Sequence, residues 1–263
     1  MDIKRLHVAY FSPTGTTERT LRLVAEGFGC AETVWHDWGD PETRALPLDC
    51  GADEALIVGM PVYYGRIPSL FHAGLPVRGR RTPFVAVAVY GNRHYDDALL
   101  ELKTLGEQAG CVTTGAGAFV AQHSLNPDMG RGRPDASDAA AMRGFGKALR
   151  AKLDGVSGEV PPLDVPGNAP YRAYQPTPFA PALLDAESCL HCGLCARVCP
   201  VRIIDPETFL VSAPERCLFC FGCVRACPVS VRGPRPEAAE AFAAKMAGLA
   251  ARCTVRRDPE TFL

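Results

Sequence analysis

The sequence predicts an α/β domain built on a parallel sheet, followed by a small cysteine-rich unit. Three observations carry this. Residues 1 to about 153 alternate short apolar runs with helical patterns. The apolar runs are nearly continuous, as expected of strands covered on both faces. Of the 12 cysteines in 263 residues, eight fall between Cys189 and Cys227.

Leu6–Phe11 reads as the first strand, and Thr17–Phe28 as a helix with Leu21, Val24, Ala25 and Phe28 at helical spacing. Glu32–His36 is a short second strand. Ala55–Gly59 is a third and Phe84–Tyr90 a fourth, both apolar on two faces. Tyr95–Ala109 is a helix with Leu99, Leu102 and Leu105 on one side. Val112–Ala121 is a fifth strand and Ala136–Leu153 a closing helix. Five parallel strands so connected suggest the order 2-1-3-4-5.

The predicted units are 1–154, a proline-rich linker at 155–185, a cysteine-rich unit at 186–235, and a C-terminal helix and tail at 236–263. Seven prolines between 161 and 181 make the linker stiff and extended. Tyr171, Tyr174 and Phe179 are expected to pack it along a domain surface. Pro236 suits the first position of a helix whose stripe is Phe242, Met246 and Leu249. The hexapeptide Asp-Pro-Glu-Thr-Phe-Leu occurs at 205–210 and again at 258–263.

Lys and Arg number 28, Asp and Glu 29, for a net charge of −1. Such a balance lacks the basic excess of nucleic-acid binders. Met1–Leu6 has no signal-peptide pattern, and no apolar run reaches a membrane span. A cytoplasmic location is expected, where clustered cysteines are metal ligands or redox groups.

The cysteines form two sets, Cys189-x2-Cys192-x2-Cys195-x3-Cys199-Pro200 and Cys217-x2-Cys220-x2-Cys223-x3-Cys227-Pro228. Each member recurs 28 positions later, as from Cys189 to Cys217. This is the bacterial run for two [4Fe–4S] clusters, in which the fourth cysteine ligates the other cluster. One cluster would use Cys189, Cys192, Cys195 and Cys227. The other would use Cys217, Cys220, Cys223 and Cys199. Gly193 and Gly222 are expected to ease the two wraps. Zinc also uses C-x2-C pairs, but gives no reason for a third cysteine at the same interval. His191 is expected to shield a sulfur. Cys30, Cys50, Cys111 and Cys253 have no partner spacing and read as inert thiols.

Over residues 187–231 the sequence resembles bacterial two-cluster ferredoxins. It departs in charge: Arg197, Arg202, Arg216, Arg225 and Arg232 outnumber Glu187, Asp205, Glu207 and Glu215.

After the first strand, Ser12-Pro13-Thr14-Gly15-Thr16-Thr17 opens a helix with hydroxyls and free amides, an anion cradle. It lacks the lysine of a P-loop, and no G-x-G-x-x-G follows any strand. The run resembles the FMN phosphate loop of flavodoxins. Two further loops follow the third and fourth strands, at the carboxyl ends where such sheets bind ligands. These are Met60–Pro68, with Pro61, Val62, Tyr63, Tyr64 and Gly65, and Tyr90–Asp96, with Tyr90, Gly91, Asn92, Arg93 and Tyr95. By the resemblance, Tyr95 stacks on the flavin and Val62 and Tyr63 face it. Gly91 and Asn92 would meet its pyrimidine edge, and His123 and Arg133 would border it.

The whole of residues 5–232 resembles the flavodoxin–ferredoxin fusion family. That resemblance implies an α/β flavodoxin-like domain joined to a small α+β bacterial 2[4Fe–4S] ferredoxin domain. It implies FMN, two [4Fe–4S] clusters and electron exchange with a redox protein partner. Two rival functions stay open. One is an FMN-dependent reductase of a small organic acceptor, with Tyr63, Tyr64 or His123 as general acid. The other is a redox sensor without turnover.

Overall fold

The computed structural model describes residues 1–156, 160–176 and 180–263. Pro178 and Phe179 of the linker lie outside them. The first half runs β1 (Arg5–Tyr10), α1 (Thr16–Phe28), β2 (Thr33–Asp37), α2 (Pro41–Ala45), β3 (Leu48–Cys50) and β4 (Glu54–Pro61). It continues through β5 (Val77–Gly79), β6 (Thr82–Tyr90), α3 (Ala98–Gln108), β7 (Cys111–Val120) and α4 (Ala136–Gly155). The remainder holds β8 (Ala182–Leu183), α5 (Leu194–Arg197), α6 (Gly222–Arg225), β9 (Arg232–Gly233), α7 (Pro236–Arg252) and β10 (Glu260–Phe262).

Five parallel strands stand in the spatial order β2-β1-β4-β6-β7. Numbered among themselves they read 2-1-3-4-5, the flavodoxin-like order. A sixth strand, β10, was not expected. It pairs antiparallel with β7, Thr261 opposite Gly117, and covers that edge with the chain's own C-terminus. The short parallel pair β3–β5 and the helix α2 were also not anticipated.

Two apolar layers sandwich the sheet. On one face α1 and α4 bring Leu21, Val24, Phe28, Met142, Phe145 and Leu149 against Leu6, Val8, Ile57 and Val87. The two helices meet almost backbone to backbone: a Cβ on Gly146 would lie 2.0 Å from the Val24 carbonyl oxygen. On the other face α3 brings Leu99, Leu102 and Leu105 over Phe11, Trp38, Leu56, Phe71 and Phe84. The second predicted helix, α3, starts at Ala98 rather than Tyr95, because Tyr95–Asp97 form a turn with Asp96 at φ 44°.

Asp97 organises the linker. Its carboxylate accepts from the Asn168 and Arg172 amides at 2.9 and 2.7 Å. Tyr171 lies under the Arg66 guanidinium, 4.7 Å from ring centre to carbon, and Tyr174 packs edge-on against Tyr64 and His72. The stretch is thus extended but adherent. Its end joins the cysteine-rich part, where Ala182 pairs with Gly233.

The two copies of the hexapeptide fold differently. At 205–210 the Asp205 carboxylate accepts from Glu207 and Thr208 amides and Phe209 is left-handed, φ 58°, which makes a turn. At 258–263 the same residues supply β10. Context decides, since one copy has a sheet edge to join and the other does not. Among the described residues no helix is long and apolar enough to cross a membrane.

Candidate functional site

A cleft of about 580 Å³ opens at the carboxyl ends of β1, β4, β6 and β7. The chain enters α1 through Gly15, whose φ of 79° is the left-handed conformation that glycine adopts without strain. No side chain caps the helix. The Thr16 and Thr17 amides of its first turn have no intrahelical acceptor and face the cleft's anion position, while that of Glu18 is taken by Ser12. Ser12, Thr14, Thr16 and Thr17 line the cleft beside them. The Ser12 hydroxyl is already engaged, accepting from the Glu18 amide at 3.0 Å.

Pro61, Val62, Tyr63, Tyr64 and Gly65 form a second wall, and Tyr90, Gly91 and Arg93 a third. Burial raises the Tyr63 phenol well above its ordinary range, and the Cys220 thiol beside it adds to the rise. Tyr63 therefore stays neutral. His123 lies on the loop after β7. Its Nδ1 accepts from the Leu125 and Asn126 amides, both at 3.1 Å, so the ring proton sits on Nε2. Burial, helped by Arg225 and Arg93, lowers its pKa to about 4. The imidazole is a neutral donor in the cleft wall.

Four expected residues do not line the cleft: Gly15, which only shapes the entry to α1, and Tyr95, Asn92 and Arg133. Tyr95 is buried in the core, where its hydroxyl donates to Glu260 Oε2 at 2.7 Å. His94 stacks on it at 4.9 Å and lines the cleft in its place. Asn92 holds the C-terminal tail: its Nδ2 donates to the carbonyls of Cys253 and Val255, both at 3.0 Å, and its Oδ1 accepts from the Arg257 amide at 3.2 Å. Arg133 is buried in a forked pair with Asp138 and donates to the Arg257 carbonyl at 2.7 Å. The last three serve the tail because β10 brings residues 253–260 over this edge of the sheet.

The fourth wall was missed altogether. Leu218 and Phe219 come from the cysteine-rich part, and Phe242, Lys245, Met246 and Leu249 from α7. The apolar stripe of α7 was visible in the sequence, but nothing there said what it would cover. Among the described residues no acidic side chain lines the cleft, whereas Arg93, Arg172 and Lys245 do.

The eight clustered cysteines surround two small cavities. Cys189, Cys192, Cys195 and Cys227 line one; Cys199, Cys217, Cys220 and Cys223 line the other. The walls are otherwise mostly apolar, with Ile203, Ile204 and Phe221 around the second. Burial raises the Cys220 and Cys223 thiols, the latter to about 11. Four thiols per cavity with mostly apolar walls fit an iron–sulfur cube, whose irons would take them as thiolates. Arg232, itself buried, sets Nη1 3.7 Å from Cys195 Sγ and donates to the Phe209 carbonyl at 2.7 Å. His191 sits edge-on to Phe209, 5.3 Å between ring centres.

The 28-residue repeat is structural. His191 and Phe219, Gly193 and Phe221, and Arg202 and Ser230 are left-handed at matching positions. The counterpart of Gly193 is thus Phe221, not Gly222. Gly222 serves a different need. A Cβ there would lie 2.9 Å from the Pro13 carbonyl oxygen, so its lack of a side chain lets α6 lie against the hydroxyl loop. Around that contact Arg225 donates to the His123 carbonyl at 3.3 Å and Arg44 to the Pro200 carbonyl at 3.0 Å.

Residues 182–234 match the family model of the 4Fe-4S dicluster domain. These residues are similar to 4Fe-4S dicluster domains. In this protein that segment is joined, through the linker, to a flavodoxin-like α/β domain recognised by its strand order. Among solved structures, a flavodoxin from the domain Archaea aligns at 14% identity and TM-score 0.41, covering 57% of this chain and 99% of that one. Two-electron reduced Megasphaera elsdenii flavodoxin aligns at 16% identity and TM-score 0.31, covering 56% and 98%. Comparison with curated proteins gives no match.

Proposed function

We propose that the chain is an electron-transfer iron–sulfur flavoprotein, holding FMN in the cleft and one [4Fe–4S] cluster in each cysteine-lined cavity. It would relay electrons between an external redox protein and the flavin. The observation that carries this reading is the placement of one cavity against the cleft. Leu218 and Phe219, between and beside the ligands Cys217 and Cys220, form part of the cleft wall, and Gly222 touches Pro13. The other cavity includes Cys192, which is exposed. The route therefore orders itself as partner, outer cluster of Cys189, Cys192, Cys195 and Cys227, inner cluster of Cys217, Cys220, Cys223 and Cys199, then flavin.

FMN would supply an acceptor able to hold one or two electrons, matched to clusters that carry one each. The chain's residues do the rest. The uncapped start of α1 with Thr14, Thr16 and Thr17 holds the phosphate. His123 presents its Nε2–H without changing charge. Phe242, Met246 and Leu249 exclude water from the cleft's outer side.

Anaerobic reductive titration followed by absorbance and EPR tests this. Iron, sulfide and FMN are expected at about 8:8:1. Gly222→Val is expected to slow electron exchange between clusters and flavin about tenfold or more, with cofactor content unchanged, because it drives α6 off the hydroxyl loop. Zinc in place of iron and sulfide, or an unaltered rate in that variant, would refute the route.

A further inference from the structure

The amino-terminal ends of β1 and β4, opposite the cleft, hold a second set of donor atoms. One atom each from His7, Cys50 and Glu54 lie within 4.8 Å of one another. His7 and Cys50 are buried, at 6% and 2% exposure. His7 Nε2 has no hydrogen-bond partner, an uncommon state for a buried imidazole nitrogen. It stands 3.5 Å from Glu54 Oε1. That is long for a hydrogen bond. It matches instead the edge of a tetrahedron around an ion bound at about 2.0–2.2 Å to nitrogen and oxygen, which is about 3.4 Å.

The supporting contacts have the form seen around bound metals. His7 Nδ1 lies 3.0 Å from His36 Nε2, which fixes the ring so that Nε2 faces the gap. Glu54 is held on both oxygens, by the Gly51 amide at 2.7 Å and by Arg5 Nη1 at 2.9 Å. Cys50, whose spacing marked it as inert, ends β3 and meets Glu54 across the turn at 51–53, and His7 because β1 and β4 are neighbours in the sheet.

We propose that His7, Cys50 and Glu54 form a mononuclear site for a zinc-class divalent cation, independent of the cysteine cavities. One nitrogen, one sulfur and one oxygen suit zinc, whereas magnesium and calcium take oxygen sets. A water completes the four. Binding exchanges the Cys50 thiol proton for the ion and releases that proton to solvent, with no change in oxidation state. The ion ties β1 to the turn before β4.

The test is metal analysis of the holoprotein after dialysis against zinc and then against metal-free buffer. About one zinc per chain is expected in the wild type and in Cys220→Ser, and at least tenfold less in Cys50→Ala and His7→Gln with iron unchanged. Zinc below about a tenth per chain, zinc unaffected by Cys50→Ala, or zinc lost with Cys220→Ser would each overturn the site. X-ray absorption at the zinc edge of the wild type needs no variant. One sulfur among nitrogen and oxygen neighbours supports the assignment, and four sulfurs overturn it.

Discussion

The two halves of this chain reach order by different means. The α/β half buries Trp38, Tyr95, Phe11, Phe28, Phe71, Phe84 and Phe119 completely, in two continuous apolar layers. Each such side chain contributes about 1.5–3 kcal/mol. Among the described residues the cysteine-rich half gathers Ala196, Cys199, Ile203, Ile204 and Phe209 into a buried apolar group of its own, and lends Leu218 to the core of the other half. Ordering one residue's backbone costs about 1–2 kcal/mol, so five such residues cannot hold a segment of this length. Its other sources of order are its contacts with the α/β half, through Leu218, Gly222 and Arg225, and the thiols, which would clamp the chain around a metal. Burial dictates the first half. The second is expected to depend on its cofactors as well as on its contacts with the first.

The largest expected effect breaks the comparison open. Removing iron with a chelator under reducing conditions should abolish amide protection across 182–234 and leave β1, β4, β6 and β7 protected, as read by hydrogen exchange. Loss of protection in both halves together would mean that the sheet too depends on the clusters. Persistence in both would mean that the small apolar group suffices.

A middle-sized effect concerns the tail, the third element that joins the halves. Asn92→Ala removes two donors and one acceptor that hold residues 253–257. About 1–3 kcal/mol of stability should be lost in urea unfolding, because the tail carbonyls and the Arg257 amide are left unpaired. Exchange should rise at Gly117 and Ala118, where β10 pairs, before it rises elsewhere. A stability change without that local signature would show that Asn92 acts through the β6–α3 turn alone.

What the sequence made legible follows the same division between local and distant causes. The alternating apolar runs marked the five parallel strands, since each strand's two buried faces are written in its own residues, and their order followed from the flavodoxin-like pattern that such a succession suggests. The two cysteine sets were legible because three of every four ligands lie within seven residues. Tyr95 and Asn92 were placed on the right loop but pointed the wrong way. Their partners, Glu260 and residues 253–257, lie over 150 positions away and pair only once β10 has joined the sheet. Gly222 was read as a turn residue, and its contact with Pro13 belongs to a neighbour that no local pattern names. The stripe of α7 declared an apolar face without declaring the cleft beneath it. The hexapeptide makes the limit plain, since one string of six residues is a turn in one half and a strand in the other.

The smallest expected effect separates the halves by acid rather than by iron. In the fold His123 has its pKa lowered from about 6.5 to about 4, chiefly by burial and then by Arg225 and Arg93. The unfolded chain therefore takes up a proton first as pH falls. Stability should decline from pH near 6.5 toward 4 and change no further from this group below that. The slope from one such group is at most about 1.4 kcal/mol per pH unit, and less here because the ring is partly exposed. His123→Gln keeps an acceptor for the Leu125 and Asn126 amides and removes the titration, so its stability should vary less with pH across that window. Fluorescence of Trp38, buried in the α/β half, reports the unfolding of that half during denaturant titrations at each pH. Parallel curves for the two proteins would show that the acid sensitivity of the α/β half has another source.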